Sequence, residues 1–257
     1  MSAVERSIAV LRAFSAARPE LGLGELAALT RLDKATVLRL LKALCAGGLV
    51  YRSGATGMYR LGHEILSLAE VAKSSSPLVM VARPHMRAVR DRLDETVVVA
   101  ARADDFRVNL EQLQALRPVR RVVAIGIPTP LYFSASGRVM LADFPDAELT
   151  EYLARAAARA PNVVTEQDQQ FLRAELARIA AQGFAEAINE AASDGAAFSA
   201  PIRDHTGHAV GAFTVSIPLS RFNAGVRGHI VEAITGAAAA VSREIGGPAI
   251  GPGKSAA

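Results

Sequence analysis

The sequence is poor in cysteine and in long uncharged apolar runs. Cys45 is the one cysteine among 257 residues, so no disulfide forms within the chain, and this usage is typical of a reducing compartment. Residues 1–14 are interrupted by Glu5 and Arg12 and do not follow the pattern of a signal peptide. The nearest candidate for a membrane span, residues 122–137, contains two prolines. We therefore expect a soluble cytoplasmic protein without a membrane segment.

The sequence also lacks the usual catalytic and nucleotide-binding motifs. It contains no P-loop, HExxH, CxxC or Gly-x-Ser-x-Gly pattern. A Gly-x-Gly-x-x-Ala string at residues 22–27 imitates a dinucleotide fingerprint, but no strand is predicted before it and no βαβ unit after it. His205 and His208 lie on a predicted turn without a nearby cysteine or carboxylate cluster, so we expect no metal.

These absences predict a protein without a cofactor and without catalytic residues. The alternative is a small-molecule enzyme whose site is assembled from residues distant in sequence. In that case the N-terminal domain would serve only for dimerisation.

Positive charge is concentrated at the N-terminal end of the chain. The whole chain holds 29 Lys+Arg and 25 Asp+Glu. Nine of the basic residues and four of the acidic ones fall in residues 1–62, a net charge of +5, whereas the remainder carries −1. Because basic side chains neutralise the phosphates of DNA, this distribution predicts that the N-terminal segment is the part that meets DNA.

The same segment has the pattern of a helix-turn-helix. A short helix (residues 23–29) and a tight turn (residues 30–32) lead into a second helix (residues 33–44), whose N-cap we expect to be Asp33. The apolar positions of the second helix recur at i, i+3, i+4 and i+7, at Val37, Leu40, Leu41 and Leu44. Its basic and hydroxyl side chains lie off that face, at Lys34, Thr36, Arg39 and Lys42. This arrangement is typical of a helix that enters the major groove.

A short basic hairpin is predicted after the second helix. The pair Gly47-Gly48 ends the helix, and residues 49–52 and 58–61 are strand candidates around a turn rich in glycine. This hairpin would be a wing that carries Arg52 and Arg60. An ordinary helical hairpin with solvated charges is the alternative. The full order of helix, turn, helix, double glycine and basic hairpin favours DNA binding.

We divide the chain into a winged helix-turn-helix domain, a linker helix, an effector-binding domain and a flexible tail, at residues 1–62, 63–76, 77–246 and 247–257. The linker helix has a broad apolar stripe, which either the partner of a homodimer or its own chain must cover. The small-residue loop that enters a helix at residues 126–137 is either an anion site or a close-packed loop.

The effector-binding domain has an α+β pattern, with helices flanking a mostly antiparallel sheet. Helices are expected at residues 78–93, 138–143, 146–159, 168–182 and 223–245. Strands are expected at residues 96–101, 107–113, 119–125, 184–188, 197–203 and 208–217.

Several strings resemble the IclR family of transcriptional regulators over residues 4–246. They include VERSIAVLRAF, LGELAALTRLDKATVLRLLKAL, ARPHMRAVRDRLDETV, FSASGRVMLA and APIRDHTGHAVGAFTVS. The resemblance implies a winged helix-turn-helix that binds double-stranded operator DNA as a homodimer, often paired into a tetramer. It also implies a C-terminal domain of GAF-like fold that binds a small organic acid as effector.

The resemblance also implies which residues make contact. For DNA, they are Lys34, Ala35, Thr36, Arg39 and Lys42 on the recognition helix, with Arg52 and Arg60 on the wing. For the effector, they are Ser134, Ser136, Gly137, Met140, Asn189, Phe198, Thr214 and Ser216. Ala35 replaces the usual serine and Leu38 a frequent histidine or tyrosine, which affects the expected operator sequence more than the expected DNA binding.

The effector pocket is expected to be apolar. An acidic residue often found in the family is Ala187 here, and Asn189 is the nearest polar substitute. Together with the bulky Phe198, this change predicts an aromatic or alicyclic acid rather than one of two or three carbons. We expect its carboxylate to be held by two amides and two hydroxyls, those of Ser136, Gly137, Thr214 and Ser216.

Overall fold

The computed structural model describes residues 1–15, 17–161, 164–190 and 194–247. It divides into two compact units, the first being Met1–Ser75 and the second beginning at Ser76. The helix that we expected as a linker is part of the first unit. Except for Gly247, the expected tail lies outside the described residues.

The first unit is helical with a small sheet. Its elements are α1 (Ala3–Arg12), β1 (Glu20–Leu21), α2 (Leu23–Thr30), α3 (Lys34–Ala46), β2 (Val50–Arg52), β3 (Tyr59–Leu61) and α4 (Glu64–Ser74). The strands are antiparallel in the order β1-β3-β2. The apolar face of α3 is buried in one cluster with Val10 of α1 and Leu26 of α2, as the spacing of its apolar residues predicts.

The second unit is built on a six-stranded antiparallel sheet in the order β6-β5-β4-β9-β8-β7. Its strands are β4 (Thr96–Ala103), β5 (Phe106–Leu113), β6 (Pro128–Pro130), β7 (Ala185–Ile188), β8 (Gly195–Arg203) and β9 (Ala209–Pro218). Its helices are α5 (Pro77–Leu93), α6 (Ala135–Leu141), α7 (Asp146–Arg159), α8 (Glu166–Gln182) and α9 (Ala224–Glu244).

The sheet separates two apolar cores. One face packs against α5 and α9, and the other against α6, α7 and α8. Because successive side chains of a strand point to opposite faces, Phe213 and Val215 of β9 join the first core whereas Ala212 joins the second. The cavity described below lies on the side of α6.

The prediction of a strand at residues 119–125 is wrong. This segment has no ladder to a neighbouring strand; it is tied to β5 through side chains instead. Gln112 donates to the Val123 carbonyl (2.9 Å) and accepts from the Val123 N–H (3.2 Å), and Asn109 donates to the Ala124 carbonyl (2.9 Å). These amides satisfy backbone groups that strand pairing would otherwise use. The edge strand forms later, at β6.

No single helix of the described residues is long and apolar enough to cross a membrane; α4 and α5 pass that test only together, as a bent pair.

Candidate DNA-binding surface and effector cavity

The exposed face of α3 carries the residues that the sequence predicted for DNA contact. Arg31 adopts a left-handed backbone (φ 56°) that ends α2, so α3 begins after a turn of three residues. Lys34, Ala35, Arg39 and Lys42 are exposed on α3. None of the three cations forms an ion pair within the described part of the chain. Their charge is therefore available for phosphates or base edges.

The N-terminus of α3 is fixed by a charged cap. The Asp33 carboxylate accepts a hydrogen bond from the Thr36 N–H (2.8 Å), and Thr36 itself is half-buried. Hydrogen bonds from the backbone and side chain of Thr36 lower the pKa of Asp33 below its ordinary value. The cap therefore stays ionised at neutral pH and holds the first turn of the helix in place.

The hairpin β2–β3 presents Arg52 and Arg60 as the sequence analysis expected. Tyr51 lies opposite Arg60 in the register, and Arg52 lies opposite Tyr59. The Arg60 guanidinium lies 4.9 Å from the centre of the Tyr51 ring, and Arg52 lies 5.7 Å from that of Tyr59. These cation–π contacts position two exposed guanidinium groups on the wing without neutralising them.

The second unit contains a cavity of about 320 Å³ beside the start of α6. It lies between the segment before α6 and the ends of strands β7, β8 and β9. Its lining combines apolar and polar side chains, among them Arg121, Phe133, Ser134, Ala187, Glu190 and Ser216. This mixture of a few polar groups on apolar walls is typical of a small-molecule site.

Two of the residues predicted for the effector, Ser134 and Ser216, line this cavity. The Ser136 hydroxyl lies 3.2 Å from that of Ser134. Thr214 faces the same side of the sheet, but its hydroxyl is bonded to that of Ser199 (2.8 Å) in the buried layer. Ser134 and Ser216 thus line one cavity, Ser136 contacts Ser134, and Thr214 is hydrogen-bonded within the sheet.

Phe198 was expected in the pocket and lies elsewhere. It is fully buried on the opposite face of the sheet, where its ring packs against Phe222 with the centroids 5.4 Å apart. Its neighbour Ala197 lines the cavity instead. Because the two residues alternate on β8, only one of them can face α6.

Three further predicted residues do not line the cavity. Met140 is fully buried in the core of α6, α7 and α8. Gly137 faces Leu131, since a Cβ built on it would lie only 2.1 Å from the Leu131 carbonyl oxygen. Asn189 is exposed in a left-handed conformation (φ 53°), although Ala187 and Glu190 on either side line the cavity. The small-residue loop at residues 126–137 is therefore close-packed where Gly137, in the first turn of α6, meets Leu131.

The charged groups around the cavity were not predicted from the sequence. Glu190 lines it and bonds to the buried Arg138, which also donates to both carboxylate oxygens of Glu175 (2.8 Å each). Burial opposes the charge of Arg138, but the hydrogen bonds to Glu190 and Glu175 raise its pKa. On the other side, Arg107 donates to the Ser134 hydroxyl (3.0 Å). These contacts join segments that are distant in sequence.

Comparison with known proteins identifies both units. The model of the IclR helix-turn-helix domain matches residues 3–54, and the model of the bacterial transcriptional regulator IclR C-terminal domain matches residues 71–243. The regulator KipR of Bacillus subtilis is 28% identical over 95% of this chain and 96% of its own length. The regulator Rv1719 of Mycobacterium tuberculosis is 32% identical over 85% of this chain and 83% of its own.

A solved structure shares the fold over nearly the whole chain. It is an IclR homologue of Microbacterium hydrocarbonoxydans in complex with 4-hydroxybenzoate, with a TM-score of 0.78 and 24% identity, covering 95% of this chain and 99% of the other. The matched family consists of transcriptional regulators rather than enzymes. The protein therefore belongs to the IclR family of bacterial transcriptional regulators, in which a DNA-binding helix-turn-helix precedes an effector-binding domain.

Proposed function

We propose that this regulator binds operator DNA through α3 and the wing, and that a small carboxylic acid in the cavity beside α6 changes its affinity for that DNA. The observation that carries the first half is the exposed face of α3, where Lys34, Arg39 and Lys42 form no ion pair within the described residues. Since its target is DNA, we also expect the protein to act in the cytoplasm.

The DNA contacts divide by chemistry. Arg39 lies near the middle of the exposed face of α3, where a guanidinium can bind a guanine through two hydrogen bonds. Lys34 and Lys42 lie on the same face as point charges suited to phosphates. Arg52 and Arg60 on the wing extend this set beyond α3. Ala35 and Thr36 contribute a small surface at the start of the helix.

A small acid suits the cavity in size and charge. Its volume of about 320 Å³ is at the lower end of the range for ligand sites, roughly 300–1,000 Å³. Phe133, Ala187 and Ala197 supply apolar walls for a ring, and Arg121 supplies a positive charge. That the related protein above was crystallised with 4-hydroxybenzoate supports an aromatic acid. Ser134 and Ser216 are the hydroxyls that we assign to orienting it.

We also propose that α4 forms part of a homodimer contact. Within the part of the chain that the structure describes, no residue of α4 is buried. Leu66, Leu68 and Val71 are all more than half exposed. Exposed apolar side chains on one helix mark an interaction surface. A second copy of the chain would bring a second α3 to the DNA, and two dimers would then form a tetramer.

The effector acts through linkage. An acid changes DNA affinity only if it binds the DNA-competent arrangement and the alternative arrangement with different affinities. DNA binding then changes acid affinity by the same factor. This reciprocity gives an independent check, because the acid titration can be repeated on the DNA complex.

Fluorescence anisotropy with DNA from the region flanking the protein's own gene tests the DNA half of the proposal. Affinity should fall by about 10³- to 10⁵-fold between 50 and 200 mM salt if about six to ten phosphates are contacted by the dimer. A folded protein that binds this DNA weakly and without salt dependence would contradict it.

A further inference from the structure

Arg107 is a partly buried cation whose partners are all neutral. Its Nε donates to the Ser134 hydroxyl (3.0 Å), and its Nη1 donates to the Asn109 amide oxygen (2.5 Å). Burial lowers the pKa of its guanidinium, and no charged neighbour offsets this. Among the described residues no carboxylate contacts it. A cation withdrawn from water without a counter-ion is costly, so its presence beside a cavity calls for a reason.

Arg138 provides the contrast within the same unit. It is more deeply buried than Arg107, and it binds the carboxylates of both Glu175 and Glu190. Two further acidic residues, one paired with the arginine opposite Arg107 in the register and one two residues before it in the chain, are also engaged. Glu148 pairs with Arg102 (2.7 Å), and Asp105 pairs with arginines of α7 (2.6–2.8 Å). The charge of Arg107 is therefore not cancelled locally.

Hydrogen bonding to Arg107 leaves the Ser134 hydroxyl able to act as a donor towards the cavity. A hydroxyl has one donor and two acceptor positions. Because Ser134 accepts from Arg107, one acceptor position is taken, and the Ser136 hydroxyl can donate to the other at 3.2 Å. The Ser134 proton is then free to point into the cavity that this residue lines. Such a donor, polarised by a guanidinium, suits a ligand oxygen that only accepts.

The backbone of Ser134 supports this role. The residue has a φ of 95°, a backbone conformation that residues other than glycine rarely adopt. Strained backbone of this kind is retained where the surrounding structure or a function requires it. Here it places a hydroxyl between Arg107 and the cavity.

We propose that Arg107 determines the charge specificity of the cavity, by holding Ser134 as a donor and by supplying positive charge that an anionic effector compensates. Arg121 lines the same cavity, and Glu190, the one carboxylate that lines it among the described residues, pairs with Arg138. The site as a whole thus favours a carboxylate over its neutral amide. This inference rests on the proposed effector function and assigns the acid selectivity to a positioning residue.

The test compares acids with their amides on the full-length protein. Calorimetric titrations use three pairs: acetate and acetamide, cyclohexanecarboxylate and cyclohexanecarboxamide, and benzoate and benzamide. Wild type should bind at least one acid at least tenfold more tightly than its amide. Arg107→Met should lower that acid's affinity at least tenfold and leave the amide within about twofold. Ser134→Ala should lose part of the same discrimination while it retains Arg107.

Two controls separate this role from a general structural one. The double variant Arg102→Met with Glu148→Gln removes an ion pair that faces Arg107 in the register and leaves no unpaired carboxylate there, and it should leave the discrimination unchanged. Arg138→Met removes a paired cation and should lower the melting temperature, whereas Arg107→Met should lower it less or raise it.

The outcomes are distinct. If wild type binds no acid of the panel, both the proposed effector class and this inference are wrong. If wild type prefers an acid and Arg107→Met keeps that preference, the inference alone is wrong. Equal loss of acid and amide binding in both Arg107→Met and Ser134→Ala would also overturn it, because it would show a structural role only.

Discussion

At the scale of single residues, Arg39 gives the most direct test of the proposed DNA contacts. Its side chain is solvent-exposed on α3 and unpaired among the described residues. Replacing it with alanine should weaken operator binding by about 1–3 kcal/mol if it binds a base edge. Arg12→Ala is the matched control, since it removes the same charge from an exposed position of the same unit. Equal losses in anisotropy titrations would mean that Arg39 contributes charge only.

Asp105 gives the second unit a pH-dependent contribution to stability. Hydrogen bonds from Arg155 and then Arg159 lower its pKa from 3.8 to about 2, although burial opposes this. Because the folded pKa is depressed, this stability is present above pH 4 and is lost as the pH falls towards 2. Both arginines are about half exposed, so we expect about 1 kcal/mol. Urea unfolding between pH 5 and 2 should show this loss in wild type and not in Asp105→Asn.

Single-residue placement was predictable only where local pattern decides it. Lys34, Arg39 and Lys42 lie on the exposed face because helical periodicity places them there. The pocket-facing position of β8 was assigned to Phe198 rather than Ala197, because the mostly apolar sequence of this strand gives no alternation from which to choose a face. Arg107 was missed because its role depends on the approach of β5 to the loop before α6. A polar alternation, Arg107 then Asn109 on a strand, was the available signal.

At the scale of elements, the packing of α6 depends on the absence of a side chain at Gly137. A Cβ at that position would lie 2.1 Å from a backbone oxygen, which cannot move as a flexible side chain could. Gly137→Ala should therefore lower the free energy of unfolding by roughly 1–3 kcal/mol. The matched variant Gly228→Ala, on an open face of α9, should be neutral or stabilise by up to about 1 kcal/mol. Urea unfolding of both variants in parallel makes the comparison, and a stable Gly137→Ala protein would refute the close-packed loop.

Elements were predictable where their own residues determine them. The capped helix α3 and the sheet strands β8 and β9 follow from periodicity and from apolar composition. The segment at residues 119–125 has an apolar composition typical of a strand, yet it is held by the side chains of Gln112 and Asn109. A β-bulge between Val99 and Ala100 also shifts the pairing of β4 with β5, so that Asn109 faces α6 whereas Glu111 bonds to Arg83 of α5. These contacts are made between segments that are distant in sequence, so no local sequence pattern predicts them.

At the scale of the molecule, the proposed dimer depends on the exposed apolar residues of α4. The double variant Leu68→Lys with Val71→Lys should be monomeric in size-exclusion chromatography with light scattering, because it places two charges in the proposed contact. It should also bind DNA more weakly, since one α3 remains per particle. Glu70→Lys is the control, as it adds charge on the same helix without removing apolar surface. A double variant that stays dimeric would exclude this contact.

The two-unit organisation and the family followed from the whole sequence rather than from any one motif. The charge excess of residues 1–62 and the order of helices and hairpin predicted the DNA-binding unit, and the family models confirm it. The effector unit was predictable as an α+β fold, because its alternating strands and amphipathic helices are local. The charged groups around its cavity were not, because Arg121 and Glu190 come to the cavity, and Arg107 to Ser134 beside it, from segments distant in sequence.

An anisotropy titration of DNA flanking the protein's own gene, with and without each acid and its amide, tests whether an acid in the cavity controls DNA binding. One acid should shift the DNA affinity at least severalfold and its amide should not. Arg107→Met should abolish the shift and retain DNA binding without acid. A folded wild-type protein that binds the DNA with an affinity unchanged by an acid shown to occupy the cavity would contradict the proposed control.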